Sequence, residues 1–271
     1  MAKSGRGEST PGIVSAEQSP PHAMPAVRTI GFGAPLRWIG AGFGDLLTTA
    51  SGSLLYGAVL AVMGWALVTW YGGAVGLALT TGFLLIGPFL AVGIYDLSRQ
   101  VETHTPPDWQ RSLTAWQMNR PAIGFYALIL MLSLAVWLRI SVVLVAILVP
   151  GGFESTAELL AMLRESPGVW VFLALYLGIG AALAAFSYAI SAVALPMLLD
   201  RPGMDAISAM ITSFQAIRRN PRPMMLWAAM IVALITAGFL SWFIGLVVVV
   251  PLVGHATWHA YRELVEPPPS A

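Results

Sequence analysis

The chain has 271 residues, of which 57% are hydrophobic and only 10% are charged, and its net charge is +1. Soluble globular domains carry about 25% charged residues, so this composition argues against an ordinary water-soluble protein. The near-neutral charge provides no field that would attract nucleic acid, and the absence of cysteine excludes disulfides and thiolate metal sites.

Polar tails flank the apolar part of the chain. Residues 1–30 are rich in Pro, Ser and Gly and lack any apolar periodicity, so we predict that they are disordered. No apolar core of a signal peptide follows their few charges. Residues 266–271 form a second short disordered end, which leaves 31–265 as one membrane domain.

Apolar stretches of bilayer-spanning length, about 20 residues each, occupy most of the sequence between these tails. The last one, 224–261, would be about 57 Å long as a single helix, nearly twice the thickness of a hydrocarbon core. We therefore divide it near residues 238–242. The sequence predicts an all-α, polytopic membrane protein with six transmembrane helices, at 54–71, 77–95, 122–149, 168–199 and the two halves of 224–261.

The basic residues predict the orientation of these spans. Twelve of the 14 Lys and Arg residues fall in the N-terminal region, the loops 96–121 and 200–223, and the C-terminal tail, which share one side in a six-span topology. Only Arg139 and Arg164 fall on the other side. Because basic residues are enriched in cytoplasmic loops, both termini are predicted to be cytoplasmic.

The spans group into three hairpin repeats, at about 36–95, 109–199 and 204–261, each preceded by a short amphipathic segment. We expect these segments to be interfacial helices in the cytoplasmic headgroup layer. Repeats of this kind accompany binding sites in transporters, but they also stack simply to bury a shared face, and both interpretations stay open. The apolar residues of the three segments are Leu36, Ile39, Phe43, Leu46 and Leu47; Trp109, Leu113 and Trp116; and Ile207, Met210, Ile211, Phe214 and Ile217.

Prolines recur at corresponding positions of the repeats, and glycines form a motif in the first one. The second span of every pair has a proline in its cytoplasmic half, at Pro88, Pro196 and Pro251. Gly40 and Gly44 form a GxxxG motif, which is typical of closely packed membrane helices but is a weak indicator in a surface helix.

Several stretches together resemble a known bacterial group: PLRWIGAGFGDL, IGPFLAVGIYDLSRQVE, AISAVALPMLLDR and GHATWHAYREL. The chain is similar over about 30–265 to the predicted integral membrane proteins grouped as domain of unknown function 2189. This resemblance implies a multi-pass protein of the bacterial inner membrane with no established activity.

Two histidines near the end of the last span are the first candidate functional residues. His255 and His259 lie one helical turn apart, followed by Arg262, so both imidazoles share a helix face that a metal could use. A metal site would still need a third ligand, such as Asp96 or Asp200 from another repeat. The alternative is that both histidines form hydrogen bonds to headgroups or loops, and no metal or cofactor is assigned.

Charged residues beside the spans are the other candidates. Asp96 with Arg99 and Asp200 with Arg201 recur just beyond the proline-bearing spans, as does Arg262, and they form either a polar ring on the cytoplasmic face or ordinary interface anchors.

Arg139 is the basic residue within an apolar run, which is a functional position by default. It lies about 27 Å along its helix from residue 122, so snorkelling to the outer headgroups is the competing interpretation.

No catalytic motif or nucleotide fingerprint is recognisable in the sequence. We therefore expect a non-enzymatic structural or assembly component of the membrane. The alternative is a small-solute transporter or channel with its site between the repeats. The expected partners are the lipid bilayer and other membrane proteins or further copies of the chain, with no nucleic acid.

Overall fold

The computed structural model describes residues 24–70, 90–149, 151, 158, 161–162 and 167–267. Within these residues the chain is helical. The predicted span 77–95 lies outside the described residues up to position 89, as do Pro88 and the tail segment 1–23. The helices are α1 (Ala34–Thr48), α2 (Ala50–Trp70), α3 (described over 90–102), α4 (Trp109–Ser112), a 3-10 helix (Ala115–Asn119), α5 (Arg120–Leu148), α6 (Pro167–Ser191), α7 (Ala194–Asp200), α8 (Ala206–Arg219), α9 (Pro221–Leu240) and α10 (Leu246–Leu264).

Prolines and side-chain caps set where these helices begin. α1, α5 and α9 each have a proline in their first two positions, where its missing N–H costs no helical hydrogen bond. The side chain of Asp205 caps α8 by accepting a hydrogen bond from the backbone N–H of Ser208, at 2.9 Å. Hydrogen bonds from Ser208 hold the pKa of the Asp205 carboxyl below its usual value.

Three helical segments of the described chain are long and apolar enough to cross a membrane: Ala115–Leu148, Gly168–Asp200 and Pro221–Leu240. A bent pair, Ala34–Thr48 with Ala50–Ala66, makes a fourth if its two arms count as one span, and the bend between them is 104°. The predicted break within 224–261 is present, because α9 ends at Leu240 and α10 begins at Leu246. α10 itself is not among the candidate spans, so the described residues support three or four spans rather than the predicted six.

The buried core lies at one end of the long helices. Trp38 and Trp227 pack edge to face with ring centroids 5.6 Å apart, and Trp258 lies at the same distance from Tyr261. All four side chains are almost completely buried. The long apolar helices instead expose most of their surface, which is the distribution expected where lipid rather than protein covers them.

The amphipathic helices α1 and α8 expose only part of their predicted apolar stripes, because Leu46 and Met210 are buried against the protein. On α1, Leu36 and Leu47 are each 64% exposed, whereas the face toward the protein carries Trp38, Gly42 and Asp45. This orientation fits the predicted interfacial position, since the apolar face is directed away from the protein core.

The end of the predicted N-terminal tail is part of the folded body. The backbone N–H of Arg28 donates to the carbonyl of Leu264 at 2.7 Å, and the N–H of Glu266 donates to that of Ala26 at 3.0 Å. Val27, which lies between them, is 8% exposed. The structure therefore differs from the predicted boundary at residue 30, because this segment pairs with the end of α10.

Candidate functional site

Helix α10 packs closely against the first two helices of the chain because glycines line the contact. A Cβ atom on Gly42 of α1 would lie 2.6 Å from the backbone nitrogen of Ala256, and a Cβ on Gly254 would lie 2.7 Å from Ile94 of α3. Gly57 of α2 meets the backbone of Val247 in the same way. The polar side chains of α10 are therefore held within hydrogen-bond distance of α1, α2 and α3.

His255 lies at the centre of a buried hydroxyl cluster. Its Nε2 shares a hydrogen bond with the hydroxyl of Ser53 at 2.8 Å, and its Nδ1 shares one with the hydroxyl of Ser98 at 2.6 Å. All three residues are 0–1% exposed. Both ring nitrogens are thus occupied by hydroxyls from two different helices, α2 and α3.

His259 faces an acidic partner one turn further along α10. Its Nε2 lies 2.9 Å from Oδ2 of Asp45 on α1, and the Asp45 side chain is 10% exposed. Histidine and carboxylate together therefore tie α10 to α1.

Arg262 bridges two acidic side chains that come from different parts of the chain. It lies 2.7 Å from Oε1 of Glu102 at the end of α3, and 3.2 Å from Oδ2 of Asp200 at the end of α7. The indole N–H of Trp258 also donates to Glu102, at 2.9 Å, and the hydroxyl of Tyr261 donates to Asp200, at 2.6 Å. One face of α10 thus joins the ends of α3 and α7.

Contacts at the C-terminal end of α10 complete this arrangement. Glu263 pairs with Arg37 and accepts a hydrogen bond from the indole N–H of Trp38 at 2.7 Å, both on α1. Arg201 donates to the hydroxyl of Tyr261 at 3.2 Å and to the carbonyl of Glu266. We call the polar residues of α10 and their partners the C-terminal hub: Asp45, Thr49, Ser53, Ser98, Glu102, Asp200, Arg201, His255, Trp258, His259, Tyr261, Arg262 and Glu263.

The structure brings five of the eight predicted site residues into this hub and leaves Asp96, Arg99 and Arg139 apart. Asp96 is fully buried and pairs with Arg99 at 2.7 Å on its own helix, and its other oxygen accepts from Gln100 at 2.8 Å. Arg139 is exposed on α5. The predicted recurrence of charge pairs is therefore partial, because only the Asp200, Arg201 and Arg262 positions meet.

The hub side chains bond to one another across helices α1, α2, α3, α7 and α10. Within the described residues there is no group of three His, Asp or Glu side chains placed to share a metal ion. In the same part of the chain, every buried side-chain nitrogen and oxygen atom has a hydrogen-bond partner. Each buried polar atom of the hub thus has a hydrogen-bond partner in the protein. A buried polar network stabilises a packing arrangement when this condition is met.

The sequence reasoning missed Asp45, Ser53, Ser98 and Glu102. A signal existed for Asp45, since it is the only charged residue between positions 38 and 95. Ser53 and Ser98 had no comparable signal, because isolated hydroxyls are common in membrane helices and do not reveal which helix they will meet.

A family model described as Predicted integral membrane protein (DUF2189) matches residues 76–200, a shorter stretch than the 30–265 over which we predicted the resemblance. Comparison with curated proteins and with solved structures gives no match. The match includes α3, α5, α6 and α7, and with them Ser98, Glu102 and Asp200 of the hub, whereas α1, α2 and α10 with the remaining hub residues lie outside it. It confirms the predicted resemblance over residues 76–200, and the protein is a multi-pass integral membrane protein.

Proposed function

We propose that this protein is a non-enzymatic structural or assembly component of the bacterial inner membrane, in which the C-terminal hub keeps its helices in one arrangement. The observation that carries the proposal is the bridging position of α10. Its polar side chains contact α1, α2, α3 and the end of α7. Because these groups are used up in contacts with one another, they serve the packing of the helices rather than a reaction.

The buried part of the hub around His255 supports the same proposal. Removing one partner of a buried polar pair leaves the other without its hydrogen bond, which costs about 1–3 kcal/mol per group. His255 alone has two such partners, Ser53 and Ser98. A network of this kind favours one packing arrangement of the helices. A fixed arrangement is what a surface that binds partner proteins requires.

The proposed topology has six spans with both termini in the cytoplasm. Pairing of residues 26–28 with residues 264–266 supports an even number of spans, because it places the two ends of the folded chain on the same side. The exposed turn between α9 and α10 fits the opposite membrane surface. Trp242 in that turn is 81% exposed, and tryptophan is enriched at membrane–water interfaces.

The proposed threefold repeat is supported by three equivalent junctions between an amphipathic helix and an apolar helix. Thr49, Asn119 and Asn220 occupy these junctions, and all three side chains are buried. The two asparagines act alike. Asn119 donates to the carbonyls of Leu198 and Met204, and Asn220 donates to the carbonyl of Arg28 at 2.9 Å.

A co-purification experiment from native membranes tests the structural role. The parent chain, the hub variant His255→Ala and the exposed control Gln215→Ala are purified in mild detergent, and the bound proteins are quantified. We expect a stoichiometric membrane-protein partner with the parent and the control, and its loss from His255→Ala. The proposal is overturned if the purified parent alone moves a defined solute across liposomes, which would favour the transporter alternative.

A further inference from the structure

We propose that the exposed face of α8 and the arginines that follow it form a binding surface for anionic phospholipid on the basic side of the membrane. This proposal goes beyond the structural role, because it assigns a particular lipid class to a particular helix. It is independent of the C-terminal hub, since none of its residues belongs to that network.

Three large apolar residues of α8 point away from the protein, whereas Met210 on the same helix is buried. Ile207, Ile211 and Phe214 lie on one stripe of the helix and are 56%, 41% and 46% exposed. The opposite face carries small residues that are fully buried, including Ala209 and Ala216. A helix that exposes a stripe of three large apolar residues opposite a buried face of small ones is oriented for the lipid interface.

Arg218 continues the exposed stripe by one further turn. Its guanidinium lies over the ring of Phe214, 5.9 Å from the centroid, which aligns the charge with the apolar face. The same pairing occurs at the start of α5, where the guanidinium of Arg120 lies 5.7 Å from the ring centroid of Trp116. An arginine stacked on an interfacial aromatic ring places its remaining N–H donors at headgroup level.

The charge around this stripe is positive. Arg218, Arg219 and Arg222 are exposed within five consecutive positions, and in the described part of the chain none of them forms an ion pair. Arg219 donates to the hydroxyl of Thr29, at 3.2 Å. The apolar stripe supplies contact with acyl chains and the arginines supply contact with phosphate, so the occupant that fits both is an anionic phospholipid such as phosphatidylglycerol.

Native mass spectrometry of the full chain tests this surface. The protein is delipidated in uncharged detergent and titrated with phosphatidylglycerol, with phosphatidylcholine as the neutral probe. Each arginine near an anionic surface contributes about fivefold in affinity, so R218Q/R222Q is expected to raise the dissociation constant for phosphatidylglycerol about 25-fold. Binding of phosphatidylcholine is expected to stay unchanged.

Two variants complete the experiment. R139Q removes an exposed arginine from the far part of α5 and is expected to bind phosphatidylglycerol like the parent. R218K/R222K retains both charges and is expected to stay within about fivefold of the parent. The proposal is overturned if the parent binds both lipids equally, if R218Q/R222Q binds phosphatidylglycerol like the parent, or if R139Q loses as much affinity as R218Q/R222Q. Soluble glycerol phosphate is expected not to displace the lipid, and displacement by it would also overturn the assignment to a bilayer lipid.

Discussion

Substitution of Gly42 by alanine tests the close packing of α1 against α10. The new Cβ atom would lie 2.6 Å from the backbone nitrogen of Ala256 and 3.0 Å from its Cα. Favourable contacts between non-bonded atoms begin at about 3.5 Å, so the two helices would have to separate by roughly 1 Å. Because the opposing atoms belong to the backbone, no change of side-chain rotamer relieves the contact. Overpacking of this kind costs about 1–3 kcal/mol, which exceeds the helix propensity that alanine gains, so we expect Gly42→Ala to lose stability.

Gly40 and Gly44 provide matched controls on the same helix. A Cβ atom at either position meets nothing within 4 Å. Alanine is favoured over glycine in a helix by about 0.8–1 kcal/mol, so Gly40→Ala and Gly44→Ala are expected to be neutral or stabilising. The three variants thus differ in sign although the chemical change is the same.

Reversible unfolding of the purified protein in detergent micelles provides the measurement. All three variants gain the same helix propensity, so the separation between Gly42→Ala and either control is expected to equal the overpacking cost, about 1–3 kcal/mol in the free energy of unfolding. Equal stability of all three variants would refute the reasoning, because it would mean that α1 does not approach the α10 backbone at Gly42.

Three other substitutions test separate parts of the structure. His255→Ala leaves two buried hydroxyls without their partner and creates a cavity, so it is expected to cost about 2–5 kcal/mol in the same unfolding assay; a loss below about 1 kcal/mol would contradict its central place in the hub. Asn220→Ala removes the clamp on the backbone of Arg28 and is expected to accelerate hydrogen exchange at residues 26–30, with unchanged exchange counting against the clamp. Asp205→Ala removes a helix cap worth about 1 kcal/mol at neutral pH. Because the folded-state pKa of Asp205 is lowered, the stability that the cap adds is complete above about pH 4 and is lost as the pH falls through the lowered pKa. The free energies of unfolding of parent and variant should therefore converge in acid. A difference that stays constant with pH would contradict the cap.

Sequence patterns predicted the helix boundaries better than the helix contacts. The break within 224–261 followed from length alone, and it occurs between Leu240 and Leu246. The GxxxG motif pointed to Gly40 and Gly44, yet the glycine that packs is Gly42 between them. Both choices fit the helical spacing equally well, and only the position of α10 decides which face of α1 becomes the contact.

The amphipathic stripes show why it is difficult to predict which face of a helix contacts the rest of a membrane protein. In water, a large apolar residue on a helix marks the face toward the core. Here Phe214 of α8 is 46% exposed while Ala209 and Ala216 are fully buried, so along this stripe the large apolar residue faces outward and the small residues face the protein. Lipid takes the place of the core as the apolar environment, and periodicity therefore predicts an amphipathic helix without predicting which side faces the protein.

The same reversal explains why the polar residues rather than the apolar ones carry the specificity of this fold. Lipid solvates leucine and valine as well as a neighbouring helix does, so apolar contact alone distinguishes poorly between alternative arrangements of the helices. A buried histidine or carboxylate has no such alternative, because lipid offers it no hydrogen-bond partner. His255, which is fully buried, is satisfied where Ser53 and Ser98 meet it. Arg262 adds a less buried contact where Glu102 and Asp200 converge. The few polar side chains of an apolar protein therefore determine the position of α10, and α10 in turn holds helices from the beginning, middle and end of the chain in one arrangement.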